Sequence, residues 1–131
     1  MVTPSVIGMD LKTQRNLDRF MELLGVFGVR ADDHIEIERE NERLFFEQKS
    51  EHILFSIAVS IDVNFIAQAQ LWLMARLNLE RTFGLPVRCF RLGALLVCSV
   101  ACPNSTFSGD SLYPLYQYLS RMLAEAAKGR R

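Results

Sequence analysis

Net charge is the first thing this sequence lacks: fifteen basic residues balance fifteen acidic ones, so no overall field gathers nucleic acid or an anionic membrane surface. Long hydrophobic runs are missing as well. No segment approaches the ~20 uninterrupted apolar residues of a membrane span, and Met1 to Gly8 has neither the basic start nor the apolar stretch of a signal peptide. A cytoplasmic location, with no nucleic-acid and no membrane partner, is the expectation. Lys128, Arg130 and Arg131 are a small local exception, read as cations at a helix C-terminus where the macrodipole favours them. Cysteine is scarce, and three copies is an odd number, which suits a reducing compartment where thiols stay free. Cys98 and Cys102, if they share a strand, stand ~13 Å apart, too far for the ~5.5 Å between bridged Cα atoms. All three cysteines read as small buried hydrophobes.

Signatures of chemistry are absent too. The seven glycines are scattered and form neither GxGxxG nor a Walker-type loop. His34, His52, Cys89, Cys98 and Cys102 show neither a CxxC pair nor an HExxH helix, so no metal ligand set and no cofactor is expected. The acidic run Glu36, Glu38, Glu40, Glu42 alternates with isoleucines and lies among Arg39 and Arg43, which reads as a solvated sheet face rather than a catalytic carboxylate pair. His34 and His52 flank strands as surface residues. No catalytic residue is assigned, and the chain is read as a non-enzymatic binding protein.

What is present is a core. Half of the 131 residues are hydrophobic, enough for one domain spanning 1–131. From about Asp10 to Gly28 an α-period stripe of Leu17, Phe20, Met21, Leu24 and Phe27 faces away from Arg15, Asp18, Arg19 and Glu22, with Gly25 and Gly28 positioned to stop the helix. Three period-two stretches follow: His34 to Glu40, Arg43 to Gln48, and Ile53 to Ile61. Their turn-length connections allow only antiparallel pairing. Val87 to Leu92 and Leu95 to Cys102 form two more strands around Gly93-Ala94, and the almost wholly apolar Leu95 to Ala101 predicts a central strand covered on both faces. A last helix begins near Asp110 or Ser111, with Pro114 in its first turn and a stripe of Leu112, Leu115, Tyr116, Leu119, Met122, Leu123 and Ala126. The fold class is α+β: a five-stranded, mostly antiparallel sheet with three helices in the order α-βββ-α-ββ-α.

The middle helix, capped by Asp62 or Asn64 and running to about Leu79, breaks the pattern. Ile66, Leu73 and Leu77 form one stripe, yet Phe65, Ala69, Trp72 and Leu79 form another, and Arg76 is its single charge. A helix apolar nearly all round needs cover on two sides. Phe65, Ala69, Trp72 and Arg76 are therefore the candidate homodimer interface, because Trp and Arg are enriched at such contacts.

With that element order the chain resembles the class I type III secretion chaperones, the CesT-like family. The likeness covers about Asp10 to Lys128 and is carried by the meander "HIEIERENERLFFEQKSEHILFSIAVS", the apolar helix "FIAQAQLWLMARLNL", the strand "ALLVCSVAC" and the closing "SGDSLYPLYQYLSRMLAEAAK". The resemblance implies a homodimer, without enzymatic activity, that holds the N-terminal chaperone-binding segment of a secreted effector in extended form and keeps it competent for secretion. Strand addition at a sheet edge, with alternate side chains entering grooves, would serve that task, and Leu23, Val26, Ile35, Ile37 and Phe45 are the candidate effector-binding residues. One departure stands out. Members of the family are usually acidic and this chain is neutral, which leaves room for the alternative of a regulatory or scaffold protein of the same fold that binds a secretion regulator or an apparatus component.

Overall fold

The computed structural model describes residues 11–28 and 34–128. The chain runs α1 (Leu11–Leu24), β1 (His34–Glu38), β2 (Arg43–Gln48), β3 (His52–Ser60), α2 (Ile66–Arg76), a 3₁₀ turn (Leu79–Thr82), β4 (Val87–Leu92), β5 (Leu95–Pro103) and α3 (Gly109–Ala127). Every strand pair is antiparallel, and the sheet order is β1-β2-β3-β5-β4. The expected α+β architecture is present, with β1 and β4 as its two edges.

Alternation decides which side chains meet. Ile53, Phe55, Ile57 and Val59 of β3 share one sheet face with Leu44 and Phe46 of β2 and with Leu96, Cys98, Val100 and Cys102 of β5, and all are buried. Helix α3 contributes Leu112, Leu115, Tyr116, Leu119, Leu123 and Ala126 to the same core, and α1 adds Leu17, Phe20 and Met21. Phe20 meets Phe46 edge-on at 5.5 Å, Phe55 at 5.9 Å and Tyr116 at 5.7 Å between ring centroids. Burying such side chains contributes ~1.5–3 kcal/mol each, whereas a 14-residue helix is marginal by itself. Packing therefore holds α1 in place.

Two glycines act at the ends of that helix pair. Gly25 takes φ +80°, and the N–H groups of Gly25 and Val26 donate to the carbonyls of Glu22 and Met21 at 3.1 and 2.9 Å. This left-handed cap ends α1 where the glycine was expected to. Gly109 opens α3 against α1. A Cβ there would stand 2.4 Å from the Asn16 carbonyl oxygen and 2.8 Å from the Phe20 nitrogen, so the two backbones meet only because the side chain is missing.

Several sequence expectations need correcting. Asp10, the expected start of the first helix, lies outside the described residues, as do Met1 to Gly8, Arg130 and Arg131. Phe27 is 79% exposed, because α1 stops at Leu24 and the helical stripe does not reach it. Helix α2 ends at Arg76, not near Leu79: Asn78 donates its N–H to the Tyr118 hydroxyl (2.9 Å) and accepts from the Glu80 N–H (2.8 Å), local bonds that compete with another helical turn. Asp62 orders the preceding turn by accepting from the Asn64 N–H at 2.8 Å, while the cap position itself is Phe65. The α3 cap is Ser108, which accepts from the Ser111 N–H at 3.0 Å, rather than Asp110 or Ser111. Pro114 consequently falls one turn further in, on the exposed side. Strand β5 is central, but only one of its faces joins the helix-covered core. On the other, Val97 and Ser99 are closed off by their in-register neighbours Ala58, Phe90, Ser56 and Arg88; Ser56 and Ser99 share a 2.9 Å hydrogen bond.

Candidate binding surfaces

A cleft of about 690 Å³ opens between the end of α1, the β1–β2 hairpin and α3, with Val26, Ile37, Val59, Tyr116, Ser120 and Ala124 among its walls. Its polar centre is Glu42. Read from the alternation as one of a solvated row, Glu42 is instead only 11% exposed in its side chain. It accepts from the Tyr116 hydroxyl and, at 2.5 Å, from the Ser120 hydroxyl, and the Arg39 guanidinium stands 3.7 Å away. A carboxylate can lie this deep because two donors and a cation replace its water. It ties the β1–β2 turn to the middle of α3 and so fixes the cleft's shape. Glu36, Glu38 and Glu40 remain exposed at its mouth, as expected.

Burial foremost, and then Glu42, push the Tyr116 hydroxyl up to about 12. The folded protein thus holds this proton beyond the ~10 at which tyrosine ionises in the unfolded chain, so the associated stability is whole below pH ~10 and drains away as the pH climbs toward 12. Tyr116→Phe is expected to flatten the fall of the urea midpoint across that alkaline range. Equal slopes for the two proteins would mean that another group titrates.

The second surface is α2. Ile66, Ala69 and Leu73 are buried beneath it, and Leu77 packs at their edge. Leu71 and Met74 lie largely in solvent, at 71% and 54% exposure, on an arc shared with exposed Ala67 and Ala75. Between this arc and the sheet edge runs a groove of about 290 Å³ walled by Met74, Leu77, Leu79, Val87 and Cys89. The helix therefore carries an uncovered apolar face, but not quite the one picked out from the sequence.

Of the residues assigned to a subunit contact, Ala69 is fully buried in its own protomer, because it shares the arc of Leu73. Phe65 and Arg76 are exposed and Trp72 is half-buried, with the Arg76 guanidinium 4.5 Å over its ring. Ile35 and Ile37, assigned to effector grooves, are core residues at 4% and 5% exposure, since β1 turns both toward the helix layer; Ile37 reaches the cleft floor. Leu23 and Val26 are half-buried at the end of α1, whereas Phe45 stands on the opposite sheet face beside Glu36 and Ser56. The structure brings Val26 and Ile37 to one cleft and leaves Phe45 apart. Sequence reasoning missed Leu71, Met74, Tyr116 and Ser120. A helical wheel centred on Ile66 and Leu73 would have found the first two, but no local signal joins the others to Glu42.

Cys98 and Cys102 are buried and Cys89 is half-buried; burial alone pushes the Cys102 thiol up to about 12. Among the described residues no group of three or more His, Cys, Asp or Glu side chains is placed to hold a metal ion, and no helix is long and apolar enough to cross a membrane.

A family model described as SsaM matches residues 10–126. No curated protein matches. Among solved structures, a chain of the heterodimeric ExoU–SpcU complex from the type III secretion system of Pseudomonas aeruginosa superposes with a TM-score of 0.60 at 16% identity, covering 86% of this chain and 95% of that one. YbjN from E. coli gives a TM-score of 0.48 at 13% identity, covering 90% and 85%. The α+β arrangement described above is thus a fold that also occurs within a secretion-system complex.

Proposed function

The chain belongs to the SsaM family, and from that premise, with the fold it shares with a chain of a secretion-system complex, we propose that it is a non-enzymatic type III secretion chaperone. It binds the N-terminal segment of a secreted effector in extended form and works as a homodimer in the cytoplasm, one domain per chain. The observation that carries this reading is the pairing of an edge strand with a cleft: among the described residues β1 has one unpaired side, and the cleft walled by Val26, Ile37 and Tyr116 opens beside it. An added strand would gain main-chain hydrogen bonds at β1 and place alternate apolar side chains in the cleft. Glu36, Glu38 and Glu40 at the mouth favour a client segment with basic residues flanking its apolar ones.

The homodimer would use the Leu71/Met74 arc of α2; Phe65, Trp72 and Arg76 stand on the other flank of the helix, roughly 100° or more around from Leu71. Leu23 is peripheral to the client site and Phe45, on the opposite sheet face, lies outside it. A neutral net charge supports a second reading, a scaffold of the same fold for a secretion regulator or apparatus component. The test is to co-express the chain with secreted proteins of its host and to follow amide exchange in any complex that forms. Protection is expected at residues 34–38, together with co-elution of a client segment that gains no helix. A partner that binds while folded, leaving β1 unprotected, would replace the chaperone reading with the scaffold one.

A further inference from the structure

Two of the three thiols, read from the sequence as separate core residues, are direct neighbours in space. Cys89 of β4 and Cys98 of β5 are in-register partners in the antiparallel ladder. Both project to the helix-covered face, since Cys98 shares it with Leu96 and Val100 and Cys89 packs against the same core. Opposed residues in such a ladder have Cα atoms ~4.5–5.5 Å apart, within the ~4.4–6.8 Å that a disulfide spans. Cys102 has no such partner: it stands opposite Ile53 and four residues from Cys98 along one strand.

The two thiols also differ in access. Cys98 is fully buried. Cys89 is half-buried and lines the groove between α2 and the sheet edge, the side from which a small solute would approach it. The two facing thiols shift each other: the pairing lowers the Cys89 thiol below its ordinary value and, together with burial, raises Cys98. The accessible thiol is therefore the one that ionises first, and the thiolate is the form that reacts.

We propose that Cys89 and Cys98 form an oxidisable thiol pair, a modification site that a hydroperoxide converts into a cross-strand disulfide. The Cys89 thiolate attacks a peroxide oxygen, the O–O bond breaks, and hydroxide leaves to take up the proton Cys89 gave to solvent, leaving a sulfenic acid. The Cys98 sulfur then attacks the Cys89 sulfur and forms the S–S bond, while the S–OH oxygen departs as water with the Cys98 proton. Two thiols and one hydrogen peroxide thus give one disulfide and two waters; the thiols lose two electrons and the peroxide gains them. The Gln70 side-chain amide donates to the Cys89 carbonyl at 3.1 Å, so the site is in direct contact with α2.

The test treats the full, folded chain with hydrogen peroxide without reductant and reads intact mass and a non-reducing tryptic map. The expected product has lost two hydrogens and joins the peptide 89–91 to the peptide 92–121. Cys102→Ser keeps the link. Cys98→Ser abolishes it and leaves Cys89 as a sulfenic acid that dimedone traps. A link that survives Cys98→Ser, that joins two chains, or that forms only in urea overturns the proposal. Coupling to assembly rests on the dimer proposed above, so the reaction is run at high and low protein concentration. Faster closure on dilution supports both ideas, equal rates keep the thiol pair and sink a subunit contact over this groove, and no disulfide at either concentration sinks the pair.

Discussion

Leu71→Glu combined with Met74→Glu is expected to convert the homodimer proposed above into a monomer, with the subunit dissociation constant raised about 100-fold or more. Both side chains lie mostly in solvent within the protomer, so the protomer's own stability is expected to change by no more than ~0.5 kcal/mol. In a dimer they would sit at the centre of a desolvated contact, where an unpaired buried carboxylate costs ~3–5 kcal/mol and each ~1.4 kcal/mol is tenfold in affinity. Sedimentation equilibrium and a urea titration, run on the same samples, separate the two effects. A dimer that persists in the double variant moves the contact away from α2. Trp72→Glu, at one of the interface candidates read from the sequence, is a less clean probe. Its ring is half-buried and stacked under Arg76, so protomer stability and assembly would change together.

Gly109→Ala is expected to cost about 3 kcal/mol in folding stability, at the upper end of what overpacking costs and a large share of the ~5–15 kcal/mol of a whole domain. The added methyl would meet backbone atoms of Asn16 and Phe20 at 2.4 and 2.8 Å, and backbone cannot rotate aside as a flexible side chain can. Alanine is the better helix former by ~1 kcal/mol, so a net loss understates the clash. The chain has one cheap escape: α1 can lift away, taking Phe20 out of its cluster with Phe46, Phe55 and Tyr116. Faster amide exchange confined to residues 11–24, beside a lowered urea midpoint, would show that route. A midpoint unchanged from the parent would mean that α1 and α3 have room for the methyl group.

These two sites differ in how far they can be read without coordinates. That α2 has apolar residues on too many sides follows from Ile66, Leu71, Trp72, Leu73 and Met74 alone, because a helix repeats every 3.6 residues. Which arc its own protomer covers does not. Ala69 was assigned to a partner and is fully buried at home, since the choice depends on where α3 and β5 approach the helix. Ile35 and Ile37 were legible as one face of a strand, but a strand has two faces and only neighbouring elements decide which is inside. Gly109 looks like any loop glycine until α1 is laid across it.

Glu42 shows the same limit for charge. In a row of alternating glutamates it is indistinguishable from Glu36, Glu38 and Glu40, yet Tyr116 and Ser120, 74 and 78 residues further on, turn it into an enclosed acceptor. Cys89 and Cys98 likewise carry no spacing that announces a pair; the hairpin register opposes them.

The sequence by itself determined the inventory: strand and helix positions from periods of two and 3.6, antiparallel pairing from short turns, the end of α1 from a glycine, and an α2 with more apolar surface than one stripe can use. Those properties are local, set by backbone geometry and side chains within a few residues. Only the tertiary structure decided which apolar arc stays bare, which carboxylate is enclosed, which thiols touch, and where a cleft lies beside a free strand edge. Each of these depends on contacts between residues distant along the chain, whose geometry the packing of the whole core sets.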